Sequence, residues 1–139
     1  MTKTMPLRIM TPLSFIVDQP VASLRAVDAS GSFGILPGHA DFLTRLAVSV
    51  VTWTMPDGAL RFCAVRGGAL TVRGGHVAIA SREAVTGDDL ATLDRDVLAR
   101  FRAEADEERV EHVETTRLHL AAMRQMLARL QPKPRGAGV

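Results

Sequence analysis

Side chains that could do chemistry are few in this chain and badly spaced for it. The four histidines are His39, His76, His112 and His119. Only His112 and His119 would share a helical face, and their i, i+7 spacing is too long for one metal ion, which takes helical ligands three or four apart. No glycine-rich loop is followed by Lys and Ser or Thr, so the usual phosphate cradle is missing. Gly31-Ser32-Phe33-Gly34 lacks the G-x-S-x-G spacing of a nucleophile elbow. Cys63 is the single cysteine and sits in an apolar run, which predicts a buried, inert thiol and no internal disulfide. Arg66-Gly67-Gly68 and Arg73-Gly74-Gly75 have the composition of RNA-binding repeats, but between alternating strands they predict β-turns. No catalytic, metal or cofactor site is nominated, and the residue types point to binding.

The binding candidate is the stretch around which the other elements are arranged, residues 31–46, GSFGILPGHADFLTRL. Pro37 presets the first central position of a turn, and Gly38 supplies the positive φ that a type II turn needs next. Gly31 and Gly34 predict a further bend or bulge. His39 is a candidate ligand or base only if a partner group exists, and none is spaced for it.

The elements on either side divide the chain in two. Residues 7–85 read as short strands separated by Gly and Pro turns, with residues 47–55 apolar on both faces, as in a strand buried between layers. Pro56-Asp57-Gly58 predicts a hairpin. At Thr86-Gly87-Asp88-Asp89 the pattern changes, and Thr86 with Asp89 resembles a capping box. From Leu90 neither Gly nor Pro occurs until Pro132. Leu90, Leu93, Val97, Phe101 and Ala105 form one helical stripe, and Val110, Val113, Leu120, Met123, Leu127 and Leu130 form another. Either two helices fold back around residues 110–116, where β-branched residues cluster, or one long helix runs through.

The expected fold class is therefore α+β in two parts: an N-terminal antiparallel β-sandwich of about 8–10 short strands, then a C-terminal α-helical hairpin or extended helix pair. The domain boundaries are 1–86 for the sandwich, 87–131 for the helices and 132–139 for a disordered tail.

Charge adds a second signal. The net charge is only +2, too small to argue for nucleic acid. Residues 88–114 carry ten acidic and four basic side chains, whereas residues 115–139 carry five basic and none acidic. A folded hairpin would lay the basic part on the acidic part, and an opened one would free Arg117, Arg124 and Arg129 for an acidic partner. Exposed ion pairs contribute only about 0–1 kcal/mol each, so two arrangements of similar free energy are expected; a static hairpin with a solvated charged face is the plainer possibility. No apolar run reaches the roughly 18 residues of a membrane span, and Pro6 and Pro12 interrupt any signal-peptide core, so membrane contact is expected only through a complex.

Gly34-Ile35-Leu36-Pro37-Gly38-His39 followed by Leu43-Thr44 and Leu46, with Gly67-Gly68-x-Leu70-x-Val72 and Val77-x-Ile79 in register behind it, resembles the epsilon subunit of F-type ATP synthases. The resemblance covers nearly the whole chain. It implies a non-catalytic subunit of the rotor's central stalk, without a cofactor, peripheral on the cytoplasmic face of the inner membrane. The implied partners are the gamma subunit, the c-ring and, through Arg117, Arg124 and Arg129 of the helices, an acidic segment of a beta subunit, a contact that would block ATP hydrolysis. The implied interface with gamma and the ring is carried by Ser32, Gly34, Pro37, Gly38, His39 and Asp41. Here the chain departs from the family pattern: Ser32 replaces an acidic residue, Asp41 a proline and Val48-Ser49 a Pro-Gly pair. Leu93-Asp94 is followed by Arg95-Asp96-Val97-Leu98, without the Arg-Ala of members that bind ATP. The alternative from another class is a free-standing β-sandwich binding module with a helical dimerisation tail.

Overall fold

A computed structural model describes residues 3–130; the tail expected at 132–139 lies outside them. Eight strands form one pairing network: β1 (Met5–Met10), β2 (Phe15–Val21), β3 (Ser23–Asp28), β4 (Gly31–Ile35), β5 (Phe42–Thr54), β6 (Leu60–Arg73), β7 (His76–Ala80) and β8 (Ala84–Gly87). Their order is β2-β1-β7-β6-β5-β3-β4, with β8 on the free flank of β6. The strands are antiparallel with one exception not expected from sequence: β1 runs parallel to β7, pairing Leu7 with Val77 and Ile9 with Ile79.

A single apolar core shows how this network is layered. Met5, Leu7 and Ile9 of β1 and Val77 and Ile79 of β7 lie in one cluster with Leu24 and Ala26 of β3 and Ile35 of β4. Strands from opposite ends of the pairing order can share a core only if the sheet folds onto itself, which makes a sandwich. The fold lies in β5 and β6, which are long strands rather than the short ones expected. In β6, Cys63 and Val65 face the core before Gly67-Gly68, and Leu70 and Val72 face it after. The buried side thus passes from odd to even residues, which a regular strand of period two does not do. β5 changes opposite this point, from Leu46 to Val51 and Trp53, with Leu46 paired to Gly68.

Gly68 is the tightest position in the bend. Its φ is +108°, and an added Cβ would lie 1.9 Å from the Ala80 carbonyl oxygen. Arg66-Gly67-Gly68 is therefore part of a strand, correcting the expected turn. Arg73-Gly74-Gly75 is the turn expected: Arg73 pairs with His76, and both central glycines have positive φ, 57° and 79°. The Pro56-Asp57-Gly58 turn is also present, closed by Gly58 N donating to Met55 O at 2.9 Å and Ala59 N donating to Asp57 Oδ1 at 2.9 Å.

A second core lies on the other side of β5, β6 and β8. Ala64, Leu93, Leu98 and Phe101 are buried there with Val48, Val50, Phe62, Val85 and Val97 around them. The helical part starts with α1 (Leu90–Thr92), widens into a π-turn at Leu93–Val97, and continues as α2 (Leu98–Leu130). Its N-cap is Asp89 alone, accepting from Ala91 N at 3.0 Å and Thr92 Oγ1 at 2.7 Å; Thr86 belongs to β8. These hydrogen bonds, the Thr92 hydroxyl first, hold the Asp89 carboxyl below its ordinary pKa. In the π-turn Leu98 N donates to Leu93 O. The wider turn brings residues five apart onto one side, so Leu98 joins Leu93 and Phe101 in the core while Leu90 is exposed. Arg100 Nη2 holds Glu83 Oε1 at 2.9 Å beside them.

By internal contacts the chain divides into Met1–Ala103 and Glu104–Val139. The composition change at Thr86–Asp89 thus marks the start of helix, while the compact first unit continues through Phe101. The described part of the second unit, residues 104–130, is helical throughout, with no break at 110–116. Of the arrangements left open by the sequence, the uninterrupted helix is the one present.

Candidate docking surface

β4 ends the pairing order, with β3 on one side. Its sequence allows this: Gly31, Ser32 and Gly34 leave only Phe33 and Ile35 to bury, and Ile35 is the one fully enclosed. Ser32 is exposed, and its hydroxyl accepts from Arg25 Nη1 at 3.3 Å. Gly34 pairs with Arg25. An added Cβ there would meet only Leu24 O, at 3.7 Å, so the fold itself leaves room for a side chain.

After β4 the chain makes the type II turn that the sequence predicts. His39 N donates to Leu36 O at 3.1 Å, and Gly38 has φ +86°. His39 Nδ1 donates to Ala40 O at 2.6 Å, which restrains the imidazole. The His39 ring stands edge-on to Phe42 at 5.8 Å, and Phe42 stands edge-on to Phe33 at 5.7 Å. Asp41 Oδ1 accepts from Gly74 N at 3.0 Å, tying the β6–β7 turn to the start of β5. Thr44 Oγ1 donates to Asp28 Oδ2 at 2.8 Å, which braces β5 against the β3–β4 turn.

Ser32, Gly34, Pro37, Gly38, His39 and Asp41 therefore share one strand–turn–strand segment. The sequence reading missed its apolar members. Leu36 and Leu43 are 64% and 71% exposed, and Phe42 is also exposed. Leu36 borders a groove of about 400 Å³ that is also lined by Leu24, Arg25, Gly34, Ile35 and Leu60 among others. The available signal was Phe42-Leu43, two consecutive apolar residues at a strand start, only one of which can face inward. Solvent-facing leucines, Leu43 following Phe42 in the chain and Leu36 at the groove, suit a protein partner better than a small charged substrate.

No group of residues suited to a metal ion occurs among the described residues. Cys63 is fully buried, and burial pushes its thiol up to about 12, so it is neither nucleophile nor ligand at neutral pH. Among the described residues, no helix is long and apolar enough to cross a membrane. Arg117, Arg124 and Arg129 all lie on α2. At about 100° per residue the first two share a face, and Arg129 lies roughly a third of a turn round from them.

Residues 4–87 match the β-sandwich domain of the ATP synthase delta/epsilon chain. The chain belongs to that family. It is 48% identical over 134 residues to the ATP synthase epsilon chain 2 of Paraburkholderia xenovorans, covering 95% of this chain and 96% of the relative. With the epsilon chain 2 of Cereibacter sphaeroides the identity is 41%, over 94% of this chain and 91% of the relative. Among solved structures, the Euglena gracilis mitochondrial ATP synthase complex of OSCP, F1 and c-ring contains a chain that superposes with a TM-score of 0.60 at 27% identity, over 75% of this chain and 64% of that one. The family match ends at Gly87, where β8 ends.

Proposed function

We propose that this chain is the epsilon subunit of an ATP synthase: a non-catalytic central-stalk subunit, peripheral on the cytoplasmic face of the membrane, that couples ion flow to ATP synthesis. The near full-length identity to ATP synthase epsilon chains supports this reading. One structural observation carries the docking part of it: Leu36, Phe42 and Leu43 project from the segment that also holds Ser32, Gly34, Pro37, Gly38, His39 and Asp41. Covering these side chains removes apolar area from water, which favours docking by about 25 cal/mol per Å². The gamma subunit and the c-ring are the proposed occupants. The regulatory part rests on Arg117 and Arg124, which share a helical face and suit an acidic segment of a beta subunit.

The test is co-expression of the full chain with the gamma subunit of the same synthase. A one-to-one complex is expected, and a Leu36→Glu/Leu43→Glu variant should fold but lose it. A chain that purifies alone, or a variant that binds gamma as well as the parent does, would sink this docking assignment.

A further inference from the structure

The second unit, taken by itself, is a helix with a regular seam among its described residues. Val110, Val113, Arg117, Leu120, Arg124 and Leu127 recur at alternating spacings of three and four residues, and Asp106 precedes Val110 by four. This is the heptad rhythm of helices that pair along their length. The described part of the unit is one helix, so nothing within it covers that seam.

The charged positions decide the direction of pairing. Two parallel copies would place Arg117 on Arg117 and Arg124 on Arg124, which like-charge repulsion opposes. Two antiparallel copies, centred near Thr115, place Asp106 of each opposite Arg124 of the other. The same register sets Val110 opposite Leu120 and Val113 opposite Arg117, with Glu114 beside it. Shifting the register by one heptad towards the N-terminus shortens the overlap, and shifting it towards the C-terminus sets Arg124 opposite Val113 instead of a carboxylate. The arginine stems pack along the seam while their heads reach the carboxylates, and one such polar layer can set the register of paired helices. Asp106 also lies 3.8 Å from Arg109 on its own helix, an exposed contact that competes weakly.

We propose that the free subunit associates through residues 104–127 with a second copy of this chain, as an antiparallel helix pair locked by reciprocal Asp106–Arg124 contacts. The pair occupies the Arg117–Arg124 face. If the regulatory reading above holds, a helix paired with another copy is unavailable to the acidic partner, so unassembled subunit is held inactive. The short, partly polar seam implies a transient dimer, with a dissociation constant on the order of 1–100 µM.

The test is sedimentation equilibrium of the full chain across that range, with Asp106→Arg, Arg124→Asp and the double exchange. Each single variant should weaken association at least tenfold, and the double exchange should restore it. A parent chain that stays monomeric throughout overturns the proposal, as does a double exchange no better than the singles. Val110→Cys/Leu120→Cys adds a check on register: oxidation should give a covalent dimer. Disulfide formation within a single chain would mean a helix folded back on itself and would also overturn the proposal. Gamma binding by the sandwich does not enter any of these readouts, so the two readings fail separately.

Discussion

Replacing Gly68 by alanine tests whether the bend in β5 and β6 holds the sandwich together. The substitution faces two separate obstacles. The φ of +108° lies where side chains are strained, and the new Cβ would stand 1.9 Å from the Ala80 carbonyl oxygen. Strain of that type costs about 1–3 kcal/mol, and forcing packed groups apart costs about 1–3 kcal/mol more. The obstacle is backbone rather than a flexible side-chain tip, so the parallel β1–β7 edge must shift with it, since Ala80 pairs with Met10. At about 4–8 °C per kcal/mol for a unit of roughly this size, the midpoint should fall by 10 °C or more. Thermal unfolding followed by circular dichroism reads this directly. Gly34→Ala is the control: φ there is ordinary, the nearest atom is 3.7 Å away, and the midpoint should move by no more than about 2 °C. A Gly68→Ala midpoint within about 2 °C of the parent would refute the account of the bend.

The second core and the buried thiol can each be tested in the same way. Phe101→Ala should cost about 3–5 kcal/mol in urea unfolding, because Phe101 is fully enclosed by Leu93, Leu98, Ala64 and their neighbours. For the same reason a chain ending after Ala103 should unfold near the parent's midpoint, and one ending after Gly87 well below it; equal midpoints would mean that the first helical turns do not support the sandwich. Cys63 should resist alkylation in the folded protein and react only on unfolding. Its pKa is raised on folding, so the unfolded chain loses the proton first, and stability should decline as pH climbs from about 9 towards 12. A Cys63→Ala variant with the same alkaline profile would show that other groups cause the decline.

Much of the docking segment was legible in the sequence because its determinants are local. A Pro-Gly pair specifies its own turn through φ alone, and the Leu36–His39 turn formed as read. Asp41 was visible only as an oddity; its bond to Gly74 N joins segments far apart in the chain, which no local pattern encodes. The exposure of Leu36 and Leu43 was hidden for a related reason, since apolar residues in a strand-rich stretch read as core until the layers are known.

The sequence by itself determined the strand and helix content, the turns at Pro56-Asp57-Gly58 and Gly74-Gly75, the uneven charge of the helical part and the family. These depend on side-chain period, backbone preference and composition, all properties of neighbouring residues. Only the tertiary structure decided the rest. It placed β1 parallel to β7, turned Gly67-Gly68 from a loop into a bend within one strand, and carried the first core unit past Gly87 to Phe101. Each of these is set by contact between residues distant in the chain, where space and pairing override the local pattern. The π-turn shows the same competition within one helix: it departs from the α-helical period, and Leu93, Leu98 and Phe101 then meet the sheet together.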